Sequence, residues 1–318
     1  MRIAYLILCH KDPQHIARLV NKITDDNADA FIHIDVEVDD TQFKQLLDRN
    51  EYVYFVKDRI KPYWGGFSAV EATMKLIDLA NDTGIYDRYI LLQGADYPLK
   101  SNNYILNFFE NNRDIEFIKG VETTNSKNYY LYSKSRMYWF FDKKNFWRKI
   151  LNRLNRITRL KTRKGYVVVN NEKYNIFWGA AQWALTRECI EYISYFYKNN
   201  INFNRYFKHV FPVDETYFHT IVLNSKFRNK ANLIKEESIE GLESMSNLHY
   251  FEYPDLIKVF TEEDYDFLIK KDCLFIRKTT TEKSSILLDM IDKVTEEGFQ
   301  DKYVFWYKRK WIKIWCYF

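Results

Sequence analysis

A chain of 318 residues, 47% hydrophobic and 18% aromatic, has enough apolar surface to bury a sizeable core in one elaborate domain or two small ones, which excludes intrinsic disorder. The net charge of +5 is uneven. Ten basic residues and no acidic one lie between Lys143 and Lys164, leaving 38 basic against 43 acidic residues elsewhere, so the basicity belongs to a segment and not to the fold.

In chain order, Ile3–Leu8 is a continuous apolar run of the kind expected from a strand covered on both faces. Pro13 then opens a helical pattern with Ile16, Leu19, Val20 and Ile23 on one stripe. Ala30–Ile34 is a second strand ending at Asp35, and Tyr52–Val56 a short third. Phe67–Leu79 is an amphipathic helix after Trp64-Gly65-Gly66, and Tyr89–Leu92 a strand running into Gln93-Gly94-Ala95-Asp96-Tyr97-Pro98. This alternation predicts a mainly parallel Rossmann-like α/β sheet with helices on both faces. Ligands of such folds bind beyond the carboxyl ends of the strands, where His10, Asp35 and Asp96 fall. Further on, Phe177–Leu185 reads as a strand, and Arg187–Tyr197 and Pro212–Leu223 as helices. One domain over 1–300 is expected, with an insertion around 120–170 and a C-terminal extension over 301–318.

Several function classes drop out. GxGxxG and GxxxxGK[ST] are both absent, which argues against a dinucleotide oxidoreductase and a P-loop NTPase. Cys9, Cys189, Cys273 and Cys316 lack CxxC spacing and read as reduced thiols of a cytosolic protein. No run reaches the roughly 18 apolar residues of a membrane span. Met1–Cys9 leads straight into His10-Lys11-Asp12-Pro13 without a cleavage site, so it reads as a buried strand and not a signal peptide. No nucleic-acid-binding signature accompanies the basic segment.

The candidate site residues each carry two readings. Asp35 either binds a base or ribose or caps the turn leaving its strand, and Asp96 either faces the ligand crevice or stabilises the turn with Pro98. In Pro212-Val213-Asp214-Glu215, proline and acids suit a first helical turn, and that alone explains both carboxylates. The same dipole would keep Glu215 ionised, as a general base requires. Lys258 and Arg277-Lys278 flank about 20 residues of helical pattern, and are either solvated charges or cations for a diphosphate leaving group.

Seven stretches in order resemble the core-2/I-branching N-acetylglucosaminyltransferase family, which also holds the peptide O-xylosyltransferases. They are Ala4-Tyr5-Leu6-Ile7-Leu8-Cys9-His10, Phe31-Ile32-His33-Ile34-Asp35, Trp64-Gly65-Gly66, Leu91-Leu92-Gln93-Gly94-Ala95-Asp96-Tyr97-Pro98, Trp178-Gly179-Ala180-Ala181-Gln182-Trp183, Pro212-Val213-Asp214-Glu215 and Leu274-Phe275-Ile276-Arg277-Lys278. The resemblance implies a GT-A-type fold and an inverting transfer from a UDP-sugar to a glycan hydroxyl, with no metal and no other cofactor. Gly94-Ala95-Asp96 stands where GT-A enzymes usually carry Asp-x-Asp, and Asp35-Val36-Glu37 lies on an earlier strand. It further implies Glu215 as catalytic base, with Lys258, Arg277 and Lys278 on the diphosphate and His10, Asp35 and Asp96 in the donor site. The acceptor residues it implies are Arg136, Tyr253 and Trp178. Two other readings stay open: a metal-dependent GT-A enzyme using Asp35/Glu37 or Asp96, and a non-catalytic carbohydrate-binding protein.

In 143–164, Trp147, Ile150, Leu154 and Ile157 recur at helical spacing, with Arg148, Lys149, Arg153, Arg156 and Arg159 largely on the other face. Residues 303–318 mix three tryptophans with Lys and Arg. Both segments either pack on the core or bind an anionic membrane surface. The second reading puts the enzyme at the inner face of the plasma membrane, with a lipid-linked acceptor.

Overall fold

The computed structural model describes residues 1–140, 142–143, 146–159, 161–254 and 256–296. The 301–318 extension, with its 303–318 aromatic and basic run, lies outside the described residues. The strands β1 (Ile3–Cys9), β2 (Ala28–Ile34), β3 (Val53–Phe55) and β4 (Arg88–Gln93) are parallel in the spatial order β3-β2-β1-β4. Their connections carry α1 (Pro13–Ile23), α2 (Thr41–Leu46) and α3 (Phe67–Thr83). After the short β5 (Asp96–Pro98) come α4 (Asn102–Glu110) and β6 (Glu116–Glu122).

An irregular stretch follows, made of α5 (Tyr129–Arg136), α6 (Phe146–Thr158) and the hairpin β7 (Tyr166–Val169) and β8 (Glu172–Asn175). Next are β9 (Phe177–Trp178), β10 (Ala184–Thr186), α7 (Arg187–Asn199), α8 (Ile201–Phe207), α9 (Tyr217–Leu223) and β11 (Ala231–Leu233). The chain continues through β12 (His249–Tyr250), α10 (Tyr265–Leu268), β13 (Phe275–Arg277) and α11 (Thr281–Glu296).

The main sheet extends past β4 in the order β4-β10-β6-β11, with β10 antiparallel to both neighbours and β9 antiparallel to β6. Alternation along β1 explains the two layers. Ala4 and Leu6 join Val70, Met74 and Ile77 of α3 in one buried cluster, and Tyr5 and Ile7 join Ile16, Leu19 and Val20 of α1 in another. This is the Rossmann-like α/β sheet, covered on both faces, that the alternation predicts. Strand order reverses between β1 and β4, and the crevice beyond their carboxyl ends is where such folds bind ligands.

Three elements differ from the sequence expectation. Phe177–Leu185 is not one strand: β9 and β10 are separate, and between them the Gly179 N–H leaves the ladder to bond the Glu215 carbonyl at 2.9 Å. The helix read as Pro212–Leu223 begins only at Tyr217, and the turn before it is tied to the Trp64-Gly65-Gly66 turn by the Val213 N–H on the Gly65 carbonyl. The span from Lys258 to Arg277 is not helical throughout. It holds one 3₁₀ turn, the four-residue α10 and then β13, which pairs with β5 and β12 in a small separate sheet.

Candidate active site

Strand register builds the cationic side. In the antiparallel β13–β5 pair, Arg277 lies opposite Asp96, and its Nη1 donates to Asp96 Oδ1 at 2.7 Å. The other Asp96 oxygen accepts the Gln93 N–H at 2.7 Å and lies 3.3 Å from His249 Nε2. Burial alone would raise the Asp96 carboxyl, but Arg277, His249 and the Gln93 N–H hold it at about 2. Asp96 is 0% exposed with both oxygens engaged, so in this structure its carboxylate is turned to Arg277, His249 and the Gln93 N–H.

Lys278 continues the backbone at this place. Its N–H bonds the Lys258 carbonyl at 3.3 Å, and its carbonyl accepts the Phe260 N–H at 2.9 Å. The Lys258 ammonium is 2.6 Å from Asp264 Oδ1 and 3.4 Å from Glu252 Oε2. Lys258 and Arg277 are thus paired with carboxylates, whereas Lys278 has no such pair among the described residues. Burial lowers the Lys278 ammonium pKa, and the charges of Lys11 and Arg277 push the same way. Desolvation, then the Lys11 charge, lowers the His10 imidazole pKa; Asp35 opposes, and Lys278 and Arg277 add to the lowering. The Asp35 N–H bonds the Cys9 carbonyl at 3.0 Å, joining the ends of β2 and β1, and its Oδ1 accepts the Glu37 N–H at 2.9 Å. Asp35 therefore does cap its turn, while standing beside His10 at the crevice. Glu37 forms an ion pair with Lys61. Among the described residues, no three His, Cys, Asp or Glu side chains are grouped to hold a metal ion.

Two glycines build the carboxylate side. Gly65 has φ of 67°, and a Cβ there would stand 2.4 Å from the Phe211 ring. The Trp64-Gly65-Gly66 turn can therefore press against Phe211 and Pro212 and hold Val213 through its carbonyl. A Cβ on Gly179 would meet the Lys119 carbonyl oxygen at 2.0 Å, so only glycine lets this strand end approach β6 and bond the Glu215 carbonyl.

Glu215 is partly exposed, and its Oε2 accepts the Trp178 indole N–H at 2.7 Å. Burial, then repulsion from Asp214, raises its carboxyl to about 7, against the pull of Lys134 and of the indole N–H. The helix-dipole argument does not describe this carboxyl: α9 starts only at Tyr217, two residues later, and burial is the main influence on Glu215. Burial raises Asp214 as well, with Lys134 and Arg277 opposing. The Arg277 charge thus reaches Asp214, which links the two sides of the site.

Two of the expected acceptor residues are engaged with other parts of the protein. Trp178 is 2% exposed and donates its indole N–H to Glu215. Arg136 donates to the Lys164 and Thr124 carbonyls, which ties α5 to the start of the hairpin. Tyr253 is exposed, and among the described residues no bond joins it to Glu215. The motif reading missed Lys134, whose ammonium lies 5.1 Å from the Trp178 ring and 4.7 Å from the Tyr130 ring. Tyr130 and Lys134 are four apart on α5, a spacing that puts both on one face and could have singled out this basic residue instead of Arg136.

Residues 3–235 match the family model for the core-2/I-branching enzyme. That stretch contains His10, Asp35, Asp96, Trp178 and Glu215, and stops short of Lys258, Arg277 and Lys278. The chain is similar to human xylosyltransferase 2, 25% identical over 71% of this chain and 25% of that protein, and to rat xylosyltransferase 1, 23% identical over 71% and 26%. The match spans about a quarter of the length of these relatives. Among solved structures, a cytidylyltransferase from Leptospira borgpetersenii aligns with 77% of this chain and 83% of its own at a TM-score of 0.34 and 10% identity, too loose a likeness to bear on function. With a family model matched over most of its length, the chain belongs to the core-2/I-branching enzyme family.

Proposed function

We propose that this protein is an inverting, metal-independent glycosyltransferase. It moves a sugar, GlcNAc or xylose, from a UDP-sugar to a glycan hydroxyl in surface polysaccharide or glycoconjugate synthesis, on the cytoplasmic side of the membrane. The observation that carries the reading is Glu215, a partly exposed carboxylate with a raised pKa, held by an indole N–H, next to an acid on which Arg277 acts.

Glu215 takes the proton of the acceptor hydroxyl as that oxygen attacks the anomeric carbon from the face opposite UDP. The bond from the anomeric carbon to the diphosphate oxygen breaks, and its electron pair leaves with UDP. Arg277 and Lys278 neutralise that charge, Lys258 supports them, and His10 and Asp35 hold the nucleoside. Base catalysis of this kind supplies about 10²–10⁴ in rate, and a placed charge donor roughly 10²–10³ more. What supports metal independence is that Asp96 is committed to Arg277 and Glu37 to Lys61, so of the acids of the metal-dependent alternative only Asp35 is not paired with a cation among the described residues.

The test is transfer and hydrolysis across a panel of UDP-sugars, with thermal shift to rank donors, because binding to the folded state raises Tm. The expected result is equal activity in EDTA and in Mn²⁺ or Mg²⁺. Loss of activity in EDTA would replace this reading with a metal-dependent one. Turnover of no UDP-sugar at all would leave a carbohydrate-binding protein.

A further inference from the structure

Helix α6 is built the wrong way round for a helix of a water-soluble domain. The fully buried side chains are polar, and Ile150 and Leu151 are half-buried. Arg148 is buried, donates to the Asp142 carbonyl at 2.5 Å and lies 4.8 Å from the Trp139 ring. Asn155 is buried and bonds the Tyr138 and Lys161 carbonyls at 3.2 and 2.8 Å, while Asn152 Oδ1 accepts the Phe140 N–H at 3.1 Å. The apolar side chains face outward: Phe146 is 70% exposed, Trp147 61%, Leu154 49% and Ile157 70%. A soluble amphipathic helix buries that stripe and solvates its charges.

Helical periodicity sorts the outer surface into two adjoining rows. Phe146, Ile150, Leu154 and Ile157 form one, with Trp147 beside it. Lys149, Arg153 and Arg156 form the other. The same three cations, with Arg148 and Trp139, line a cavity of about 420 Å³ along the helix. No acidic residue occurs between Lys143 and Lys164 to neutralise them.

We propose that α6 is a docking surface for an anionic lipid bilayer. Its apolar row enters the boundary between headgroups and acyl chains, and its cationic row and cavity take lipid phosphates. An apolar row flanked by a cationic one is what a helix lying in that interface needs. Charge decides against the other occupants. A second copy seated face to face would set two cationic rows together. Residues 303–318 of this chain bring Lys308, Arg309, Lys310 and Lys313 and no acid, so they repel the same row. The inference is independent of the proposed chemistry, because its test reads binding alone.

The test is flotation of the full chain with vesicles of phosphatidylglycerol in phosphatidylcholine and with pure phosphatidylcholine. The protein should float with the anionic vesicles only, and less at high salt. A Lys149→Glu/Arg153→Glu/Arg156→Glu variant should lose roughly a hundredfold or more in partitioning, each charge near the surface contributing about fivefold. Phe146→Ser/Trp147→Ser/Ile157→Ser should lose at least about tenfold while its thermal melt stays as in wild type, since all three side chains are exposed. Equal recovery with both vesicle types would overturn the proposal. So would unchanged flotation of both variants alongside loss on deleting 303–318, or a dimer in solution that the serine variant dissolves.

Discussion

Two acids of the candidate site have been driven in opposite directions. Asp96, on β5 of the small sheet, lies opposite Arg277 in a cross-strand pair, with His249 beside it, and is held at about 2. Glu215, on the turn before α9, has only an indole N–H and a more distant lysine in its favour, with Asp214 beside it, and rises to about 7. Both are desolvated, so burial does not distinguish them. What differs is whether register places a cation within hydrogen-bonding distance. The difference separates a fixed charge that orients an arginine from a group able to exchange a proton near neutral pH, and pairs of acids pushed apart in this way mark acid–base sites.

The comparison breaks first at Asp96. Asp96→Asn leaves Arg277 inside the protein without its counter-charge and should cost on the order of 3–5 kcal/mol of stability, read by denaturant unfolding at pH 7. Because the folded pKa is depressed, the wild-type advantage should hold above the ordinary carboxylate range and fade as pH falls from about 4 toward 2. An equally stable variant would mean that the pair does not anchor β13 to β5.

The cations should rank by how committed they are. Lys278, without a carboxylate pair, should lose about 1.5–3 kcal/mol of UDP affinity in Lys278→Ala. Lys258 is already held by Asp264 and Glu252, so Lys258→Ala should lose less, by calorimetric titration of UDP. The reverse ranking would mean that Lys258 leaves its acids for the ligand.

On the Glu215 side the sign reverses. A folded pKa raised above the unfolded one stabilises the protein below the ordinary carboxylate range, and that stability is lost as pH rises through about 7. Glu215→Gln should therefore raise stability at pH 8 by on the order of 1–3 kcal/mol, and by little at pH 4. No gain at pH 8 would mean that the carboxylate is better solvated than its surroundings indicate.

The sequence was most legible where the pattern was local. The apolar runs of β1, β2 and β4 and the stripe of α1 are read within a few residues, because parallel strands buried on both faces need no partner to be recognised. Of the proposed site, Glu215 and Arg277-Lys278 could be singled out from the letters of their motifs alone. What failed depended on partners far along the chain. Phe177–Leu185 is apolar enough for one strand, but the Gly179 N–H is claimed by Glu215. Trp178, expected at the acceptor, donates its indole N–H to Glu215, and Arg136 bonds backbone carbonyls while Lys134 of the same helix lies over the Trp178 ring. In α6 the helical spacing was legible, but not which face the fold would cover.

The proposed base is the centre of the account, and the pH dependence of kcat in wild type and Glu215→Gln tests it most directly. Wild-type kcat should fall as pH drops through the region near 7, as Glu215 becomes protonated. Glu215→Gln should lie at least about 10² lower across the range, lack that limb and keep nearly the same UDP affinity. A variant that retains most of its kcat, or that keeps the same acidic limb, would contradict the account.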